Sequence, residues 1–213
     1  MEYRKVGKIL NSNRYKLKRV LDISMIIGGL IFPLLWPFWI IVIFIVPLLI
    51  WFEDKGPIFY SQERIGKNKK NFKVFKFRTM VPDAEKMTGP VWSSKDDPRI
   101  TKVGNFLRRT AIDEIPQLIN IFKGEMSFVG PRAERPELHK EFSKKIPGFD
   151  KRLEVTPGLS GLAQIKGSYD LNPEDKLKFD IEYSKKMSLI FDLKIIFISV
   201  FNSLTARWDS PEN

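Results

Sequence analysis

The hydrophobic and polar positions divide the chain into one continuous apolar segment and a longer mixed region. From Ile23 to Phe52, thirty residues carry no charge. A straight helix crosses a bilayer with about 20 apolar residues, and two crossings with a turn need about 40. Thirty residues fit neither case, and Pro33 and Pro37 can each break the helix. The pattern predicts a membrane segment, and it leaves one long tilted span and a helix that breaks and returns equally open.

The flanks of this segment bear on its topology. Seven Lys and Arg residues precede it, between Arg4 and Arg19, and six follow it, between Lys55 and Lys73. Basic flanks favour the cytoplasmic side of a membrane, so a re-entrant helix broken at a proline satisfies the length, the breakers and the charge together. We expect a basic juxtamembrane segment over 1–22, a re-entrant membrane helix over 23–52 and a cytoplasmic domain over 53–213.

The mixed region begins with two short alternating stretches. GPIFYSQERIG and FKVFKFRTM alternate apolar and polar residues and are rich in Phe, Val and Tyr. They predict two strands of a hairpin, joined by a turn over Gly66 to Lys70. Residues 81–101 carry three prolines and a glycine, and they predict a long loop with a short helix around Asp83 to Met87. Long loops in compact domains tend to be functional.

Helical spacing of apolar residues returns further along the chain. Segments 105–110 and 115–124 predict two helical pieces, the second ending at Gly124, and segment 134–146 predicts another helix. Segment 188–208 is too apolar for a solvated helix and too interrupted for a span, so a membrane-surface helix and a core helix both stay open. The predicted fold class is α+β, with a proline-broken re-entrant helix before a small mixed α/β domain that carries interfacial amphipathic helices.

Composition and charge narrow the kinds of partner. The net charge of +11 requires an anionic partner, which is nucleic acid, a phosphate-rich small molecule or an anionic lipid surface. The chain has no cysteine and one histidine, His139, which excludes disulfides, thiolate nucleophiles and Cys- or His-rich metal sites. A bound metal would be held by oxygen ligands, which favours Mg²⁺ or Mn²⁺.

Two adjacent acids, Asp113 and Glu114, interrupt the amphipathic run TAIDEIPQLIN. Proline is tolerated only in the first turn of a helix, so Pro116 predicts that Asp113 lies at or near a helix N-cap. A carboxylate there accepts backbone N–H groups and stays ionised at the positive end of the helix dipole. The alternative is a plain capping Asp beside a solvated Glu.

Five motifs, spread over nearly the whole chain, occur in the order of a known family. They are KRVLDI, GPIFYSQERIG, FKVFKFRTM, DEIPQLINIFKGEMSFVGPRAERPE and VTPGLSGLAQIKG. In order and spacing they resemble the bacterial monotopic phosphoglycosyl transferases, also called bacterial sugar transferases. Several long motifs in order are more specific than one short pattern.

The resemblance implies a reaction and its participants. A sugar 1-phosphate passes from a UDP-sugar to a polyprenyl (undecaprenyl) phosphate with release of UMP, as the first membrane step of exopolysaccharide, capsule or glycoconjugate assembly. Asp113 and Glu114 match the catalytic dyad of the family, which requires Mg²⁺; Asp113 corresponds to the nucleophile and is our candidate metal ligand. The implied location is the bacterial inner membrane, among membrane lipids, with the catalytic domain facing the cytoplasm.

Basic residues and a glycine-rich loop supply candidates for substrate binding. An arginine after a Gly-Pro turn can aim its planar guanidinium at a phosphate, alternate strand residues share a face, and glycines allow close backbone approach. Each of these residues has a structural alternative as a surface or loop residue. The candidates are Lys76, Arg78, Arg132, Arg135, Pro157, Gly158 and Gln164.

The chain departs from the family pattern in two places. Many relatives carry a basic residue where Thr156 stands, and Arg152 is a candidate to compensate. The family often has Ser-Pro at the helix break, whereas this chain has Phe32-Pro33 and Trp36-Pro37, which leaves open which proline marks the break.

Two rival functions fit the sequence less well. A conventional glycosyltransferase commonly carries an Asp-x-Asp metal motif, which is absent here. A membrane-anchored nucleic-acid-binding protein would explain the charge, but the basic residues are scattered without a helix-turn-helix or an aromatic single-strand motif. We therefore expect no nucleic-acid partner. Neither the sugar nor the oligomeric state can be read from the sequence.

Overall fold

The computed structural model describes residues 13–84, 97–167 and 171–205. Helix α1, Asn13–Ile31, is followed by a 3₁₀ turn at Pro33–Leu35. The chain continues as helix α2, Trp36–Ile40, a π-helical turn, Ile41–Ile45, and helix α3, Val46–Asp54. The stretch Pro33–Asp54 is long and apolar enough to cross a membrane by length and composition, with a mean hydropathy of 2.5.

The apolar segment breaks at Pro33. Phe32, immediately before it, has an extended backbone (φ −69°, ψ 111°), because a residue that precedes proline is disfavoured in the helical region. Pro37 lies in the first turn of α2 and leaves the helix intact, since its missing N–H has no helical acceptor there. Pro47 follows the π-helical turn, which is a common way to accommodate a proline ring inside a helix.

Both ends of the broken helix pack on the same domain. Near the start, Lys18 Nζ lies 2.6 Å from Asp192 Oδ2 in a buried ion pair, and Asp22 Oδ1 accepts from Ser127 Oγ at 3.0 Å. At the far end, Asp54 pairs with Arg78 at 2.5 Å. Contacts at both ends fix the broken helix to the domain that follows it.

The domain begins with the predicted hairpin. Strands β1, Phe59–Ile65, and β2, Asn71–Phe77, pair antiparallel with Phe59 opposite Phe77. Helix α4, Lys102–Arg109, follows with Thr101 as its N-cap. A 3₁₀ helix over Ile112–Gln117 then leads into helix α5, Leu118–Lys123. Gly124 ends α5 in the left-handed conformation (φ 82°), which glycine adopts without a steric cost.

A second sheet was not predicted. Strands β3, Ser127–Val129, and β4, Gly158–Ser160, pair in parallel. A Cβ on Gly158 would overlap the backbone of Gly130, so the two strands approach through their glycines. Helix α6, Pro136–Lys145, and a 3₁₀ helix, Phe149–Glu154, form the connection between them.

Three helices complete the described fold. They are α7, Leu162–Lys166, α8, Pro173–Lys186, and α9, Leu189–Leu204. One side of α9 is buried at Asp192, Ile195 and Ser199, where Ile195 joins a core with Val129 and Tyr183. The opposite side leaves apolar side chains exposed, at Ile190, Leu193, Phe197, Val200, Phe201 and Leu204.

Most of the predicted elements are present in the described residues. The hairpin, the two helical pieces around the acids, the helix after residue 134 and the helix after residue 188 are confirmed. Helix α8 was missed, and the stretch predicted as a glycine-rich loop instead contains strand β4 and helix α7. The short helix expected around Asp83 to Met87 falls largely outside the described residues.

Candidate active site

The two adjacent acids lie at the start of the 3₁₀ helix. Its N-cap is Ala111, in the left-handed conformation (φ 56°), so Asp113 lies two residues further on, inside the first turn, near the N-cap as predicted. An α-helix here would bring the ring of Pro116 against the carbonyl of Ile112, whereas the tighter 3₁₀ turn avoids this contact. The acids face strand β2, the element most extensively packed against this turn.

Glu114 is held by two cations. Lys76 Nζ lies 2.5 Å from Glu114 Oε1, and Arg132 Nη2 donates to the same oxygen at 2.6 Å while Nη1 reaches Oε2 at 3.3 Å. Asp113 is paired less tightly, because its Oδ2 lies 3.5 Å from Lys76 Nζ. The two acids therefore differ: Glu114 is tied into a network, and Asp113 presents a carboxylate beside it.

Electrostatics separate the two acids further. Burial raises the pKa of Asp113, with a further increase from Glu114, and the opposing attractions of Lys76, Arg108 and Arg132 do not outweigh these effects. Burial acts in the same direction on Glu114, but attraction and hydrogen bonds from Arg132 and Lys76 are stronger and lower its pKa. A tightly paired acid next to a weakly paired one can divide two roles between them.

The acids open into a large cavity of about 2080 Å³. One part of its lining is polar and contains the acids, Lys76 and Arg132. Another part is apolar and comes from the broken helix, the hairpin and α9. The apolar lining includes Met25, Phe38, Phe59, Phe77, Ile196, Val200 and Leu204.

Further cations line the same cavity. Arg108, which the sequence reasoning missed, lies on α4 near Asp113 and donates from Nε to Thr79 Oγ1 at 2.9 Å. Its position five residues before Asp113, in the basic end of the predicted helical piece, was the available signal. Arg152 is also part of the lining, where it is buried and pairs with Asp180 at 2.8 Å. Arg64 and Lys176 are also part of the lining.

The substrate-binding candidates are distributed unevenly. Lys76 and Arg132 meet at Glu114, and Arg135 and Gln164 line the cavity. Gln164 Nε2 donates to the carbonyl of Leu159 at 3.2 Å, while its buried Oε1 has no hydrogen-bond partner among the described residues. Such an acceptor is available to a hydroxyl or amide donor of a ligand.

Three candidates also have structural contacts. Arg78 lines the same cavity as Lys76, and its guanidinium pairs with Asp54 and donates to the carbonyls of Pro57 and Met80. The carbonyl of Pro157 accepts from the N–H of Ser127, and the N–H of Gly158 donates to the carbonyl of Pro131. These backbone groups join the second sheet.

A magnesium site at the acids would have few protein ligands. Among the described residues, no group of three or more Asp, Glu or His side chains converges. Magnesium is commonly bound through one or two carboxylates together with substrate phosphates, and this donor set needs no protein cage. Asp113, whose nearest ion-pair contact is 3.5 Å away, fits such a ligand, whereas Glu114 has both oxygens engaged by cations.

An acidic pair flanked by cations, in a cavity that also has apolar lining residues, defines a site for an anionic substrate with an apolar portion. The comparisons identify the family. Residues 13–206 match the family of bacterial sugar transferases, and the chain belongs to that family.

Individual relatives agree with this assignment. A Bacillus subtilis protein, provisionally named an undecaprenyl-phosphate N-acetylgalactosaminyl 1-phosphate transferase, is 50% identical over 64% of this chain and 73% of its own length. The UDP-glucose:undecaprenyl-phosphate glucose-1-phosphate transferase of Escherichia coli is 40% identical over 90% of this chain but only 41% of its own length. The exopolysaccharide production protein PSS of Rhizobium leguminosarum is 37% identical over 89% of this chain and 96% of its own length.

Proposed function

We propose that the protein is a phosphoglycosyl transferase that moves a sugar 1-phosphate from a UDP-sugar to undecaprenyl phosphate and releases UMP. The observation that carries the proposal is the acidic pair, with Asp113 weakly paired and Glu114 held by Lys76 and Arg132, in one cavity with an apolar lining. Relatives named as undecaprenyl-phosphate sugar-1-phosphate transferases support it. The product would begin assembly of an exopolysaccharide, capsule or glycoconjugate.

Asp113 is the nucleophile in this proposal. Its carboxylate oxygen attacks the β-phosphorus of the donor, a new O–P bond forms, and the bond from that phosphorus to the bridging oxygen breaks, so UMP leaves with the electron pair. A phosphate oxygen of undecaprenyl phosphate then attacks the same phosphorus and frees Asp113. Glu114 fixes Lys76 and Arg132 beside the transferred group, where their charge offsets the developing negative charge.

A magnesium ion fits this proposal as a metal that the protein and the substrate bind together. Asp113, with the donor phosphates, would hold it, and when bound it supplies charge neutralisation for anion attack on a diphosphate. The protein supplies the remaining positive charge through Arg108, Arg132 and Lys76. Because the chain has no cysteine and only one histidine, its metal ligands would be oxygen atoms.

The two linings of the cavity support the two substrates. A UDP-sugar carries a diphosphate, and the polar lining contains more basic than acidic side chains. The basic ones are Arg64, Lys76, Arg78, Arg108, Arg132, Arg135, Arg152 and Lys176, and the acidic ones are Asp83, Asp113, Glu114, Glu134 and Asp180. The apolar lining suits the hydrocarbon chain of a polyprenyl phosphate.

The proposed function includes a re-entrant membrane helix, formed by the apolar segment. The apolar part of α1, residues 23–31, rises only about 14 Å, less than half of a hydrocarbon core of about 30 Å. Beyond the break, Trp39 Nε1 donates to the carbonyl of Gly29 at 2.7 Å, so the two arms lie side by side near the turn. Side chains at the turn are exposed, as at Ile31 and Leu34, which suits lipid contact.

This topology gives the proposed organisation of the whole chain. Residues 1–22 form a basic juxtamembrane segment, 23–52 the re-entrant helix, and 53–213 a catalytic domain on the cytoplasmic face of the bacterial inner membrane. The exposed apolar residues of α9 that do not line the cavity, Ile190, Leu193, Phe197 and Phe201, would rest on the bilayer together with the exposed Phe122.

Product analysis tests the proposal. Purified protein with Mg²⁺, a panel of UDP-sugars and undecaprenyl phosphate is expected to release UMP and form an undecaprenyl diphosphate-linked sugar. Without the acceptor, at most a stoichiometric amount of UMP should appear, and the peptide containing Asp113 should gain the mass of one sugar phosphate. Release of UDP instead of UMP would indicate an ordinary glycosyltransferase.

A further inference from the structure

Helix α3 ends in two adjacent acids that grip two different elements of the site. Asp54 forms a two-point ion pair with Arg78, with Nη1 donating to Oδ2 at 2.6 Å and Nη2 to Oδ1 at 2.5 Å. Arg78 directly follows strand β2, whose Lys76 binds Glu114. Asp54, at the end of the broken helix, therefore pairs with a residue that lies two positions after Lys76, one of the cations that hold the acidic pair.

The neighbouring acid reaches the other element. Glu53 Oε1 accepts from the backbone N–H of Lys102 at 2.7 Å, and its carboxylate also accepts from the N–H of Val103, with Oε2 at 3.2 Å. These N–H groups begin α4 and have no acceptor within the helix. Helix α4 carries Arg108 and runs, through Ala111, into the turn that holds Asp113.

The two parts of the site held by these acids also contact each other: the chain just after strand β2, and helix α4. Arg108 Nε donates to Thr79 Oγ1 at 2.9 Å, and Thr79 is the residue after Arg78. Apolar contacts back this arrangement, because Val46 and Ile50 of α3 share a core with Phe77 and Leu107. Since packed side chains transmit small displacements rather than absorbing them, the end of α3, strand β2 and helix α4 should move together.

We propose that Glu53 and Asp54 are positioning residues that couple the placement of the membrane helix to the geometry of the acidic pair. A shift of the end of α3 would carry Lys76 and Arg108 together relative to Asp113. The inference rests on the proposed function, since it predicts how fast a bound donor reacts. In this inference, Arg78 acts by joining the end of α3 to strand β2.

The chain around Asp54 is folded closely about its ion pair with Arg78. The N–H of Gly56 donates to Asp54 Oδ1 at 2.9 Å, and a Cβ on Gly56 would lie 2.9 Å from Arg78 Nη2. Arg78 further donates to the carbonyls of Pro57 and Met80. The chain thus turns around the guanidinium, and Asn at position 54 would leave that buried charge without its counter-ion.

The experiment measures UMP release by the full chain in phosphatidylcholine vesicles of graded acyl-chain length. Wild type is compared with Asp54→Asn and with Glu53→Ala, whose side chain is exposed and dispensable for the core. Glu141→Gln, which removes one partner of the exposed ion pair with Lys145, is the matched control. The kcat, the KM for UDP-sugar and the amount of folded protein are recorded for each variant.

Coupling predicts a distinctive result. Wild-type kcat should change with acyl-chain length, and Asp54→Asn and Glu53→Ala should lower kcat on the order of tenfold or more, keep KM for UDP-sugar near wild type, and flatten the chain-length dependence. Asp54→Glu, which restores the charge, should recover part of the kcat. Glu141→Gln should match wild type.

Other results overturn the inference without touching the proposed function. A wild-type kcat that is independent of chain length would exclude the coupling. So would folded Glu53→Ala protein with wild-type kcat, or Asp54→Asn samples in which the loss of activity follows only the loss of folded protein. If wild type itself releases no UMP with any UDP-sugar, the proposed function fails instead.

Discussion

At the scale of single residues, the site separates two neighbouring carboxylates by their surroundings. Glu114 has both oxygens within hydrogen-bonding distance of cations, whereas Asp113 Oδ2 is 3.5 Å from Lys76. An acid whose lone pairs are occupied is a poor nucleophile, and it is well suited to orient the groups that occupy them. This difference supports the proposal that Asp113 is the nucleophile.

The difference predicts separate behaviour for two isosteric variants. Asp113→Asn should abolish both turnover and the covalent sugar-phosphate adduct, because an amide cannot attack phosphorus. Glu114→Gln should keep binding of UDP-sugar, and it should slow adduct formation because Lys76 and Arg132 lose their charged partner. Mass spectrometry of the adduct and single-turnover UMP release measure both steps. Near wild-type turnover by Asp113→Asn would place the nucleophile elsewhere.

The cations near the acids should contribute to rate more than to stability. Arg132 is partly exposed and linked to Glu114, so Arg132→Ala should cost about 2.7–4 kcal/mol in transition-state stabilisation, as for the loss of one preorganised donor. The thermal midpoint should hardly move. Lys178→Ala, at an exposed pair with Asp175 on α8, serves as the control. An unfolded Arg132→Ala variant whose folded fraction is fully active would make Arg132 structural.

At the scale of elements, the second sheet depends on glycine. A Cβ on Gly158 would overlap backbone atoms of Gly130 and Val129, which cannot yield as a flexible side chain can. Gly158→Ala should therefore destabilise the domain by about 3 kcal/mol or more and lower its thermal midpoint in detergent. Gly28→Ala is the control, because no atom lies within 4 Å of a Cβ there. Equal midpoints for the two variants would contradict this packing role.

The sequence predicted the elements that are specified locally. The hairpin follows from alternation on both sides of a short turn, and α5 follows from helical spacing ended by Gly124. Strands β3 and β4 were missed because each has three residues, too few for a recognisable period, and their pairing joins residues about thirty positions apart. Helix α8, with its mixed charge, gave a weaker apolar signal than its neighbours.

The residues of the candidate site that lie within contiguous sequence motifs could be predicted. Asp113, Glu114, Lys76 and Arg132 were chosen from the sequence, and the fold brings them together. The partner of Arg78 was not predictable, because Asp54 ends a helix that the sequence assigns to the membrane. The three-dimensional packing of α3 against β2 brings Arg78 to this acid.

At the scale of the whole molecule, the position of the domain relative to the bilayer follows from the two arms of the broken helix. Their outer ends both pack on the same domain, through Lys18 with Asp192 and through Asp54 with Arg78. A single span would separate these ends by the thickness of the bilayer, about 30 Å of hydrocarbon. One domain touching both ends is more compatible with ends on the same side.

Cysteine labelling tests this topology, and the chain has no natural cysteine to interfere. Lys16→Cys and Lys70→Cys place exposed thiols on the two sides of the apolar segment. In intact cells, both should resist a membrane-impermeant thiol reagent, and both should react once the cells are opened, because the basic flanks hold both ends in the cytoplasm. Labelling of the Lys16→Cys variant alone in intact cells would instead establish one span, and the re-entrant arrangement, with the lipid-facing role of the turn at Pro33, would have to be abandoned.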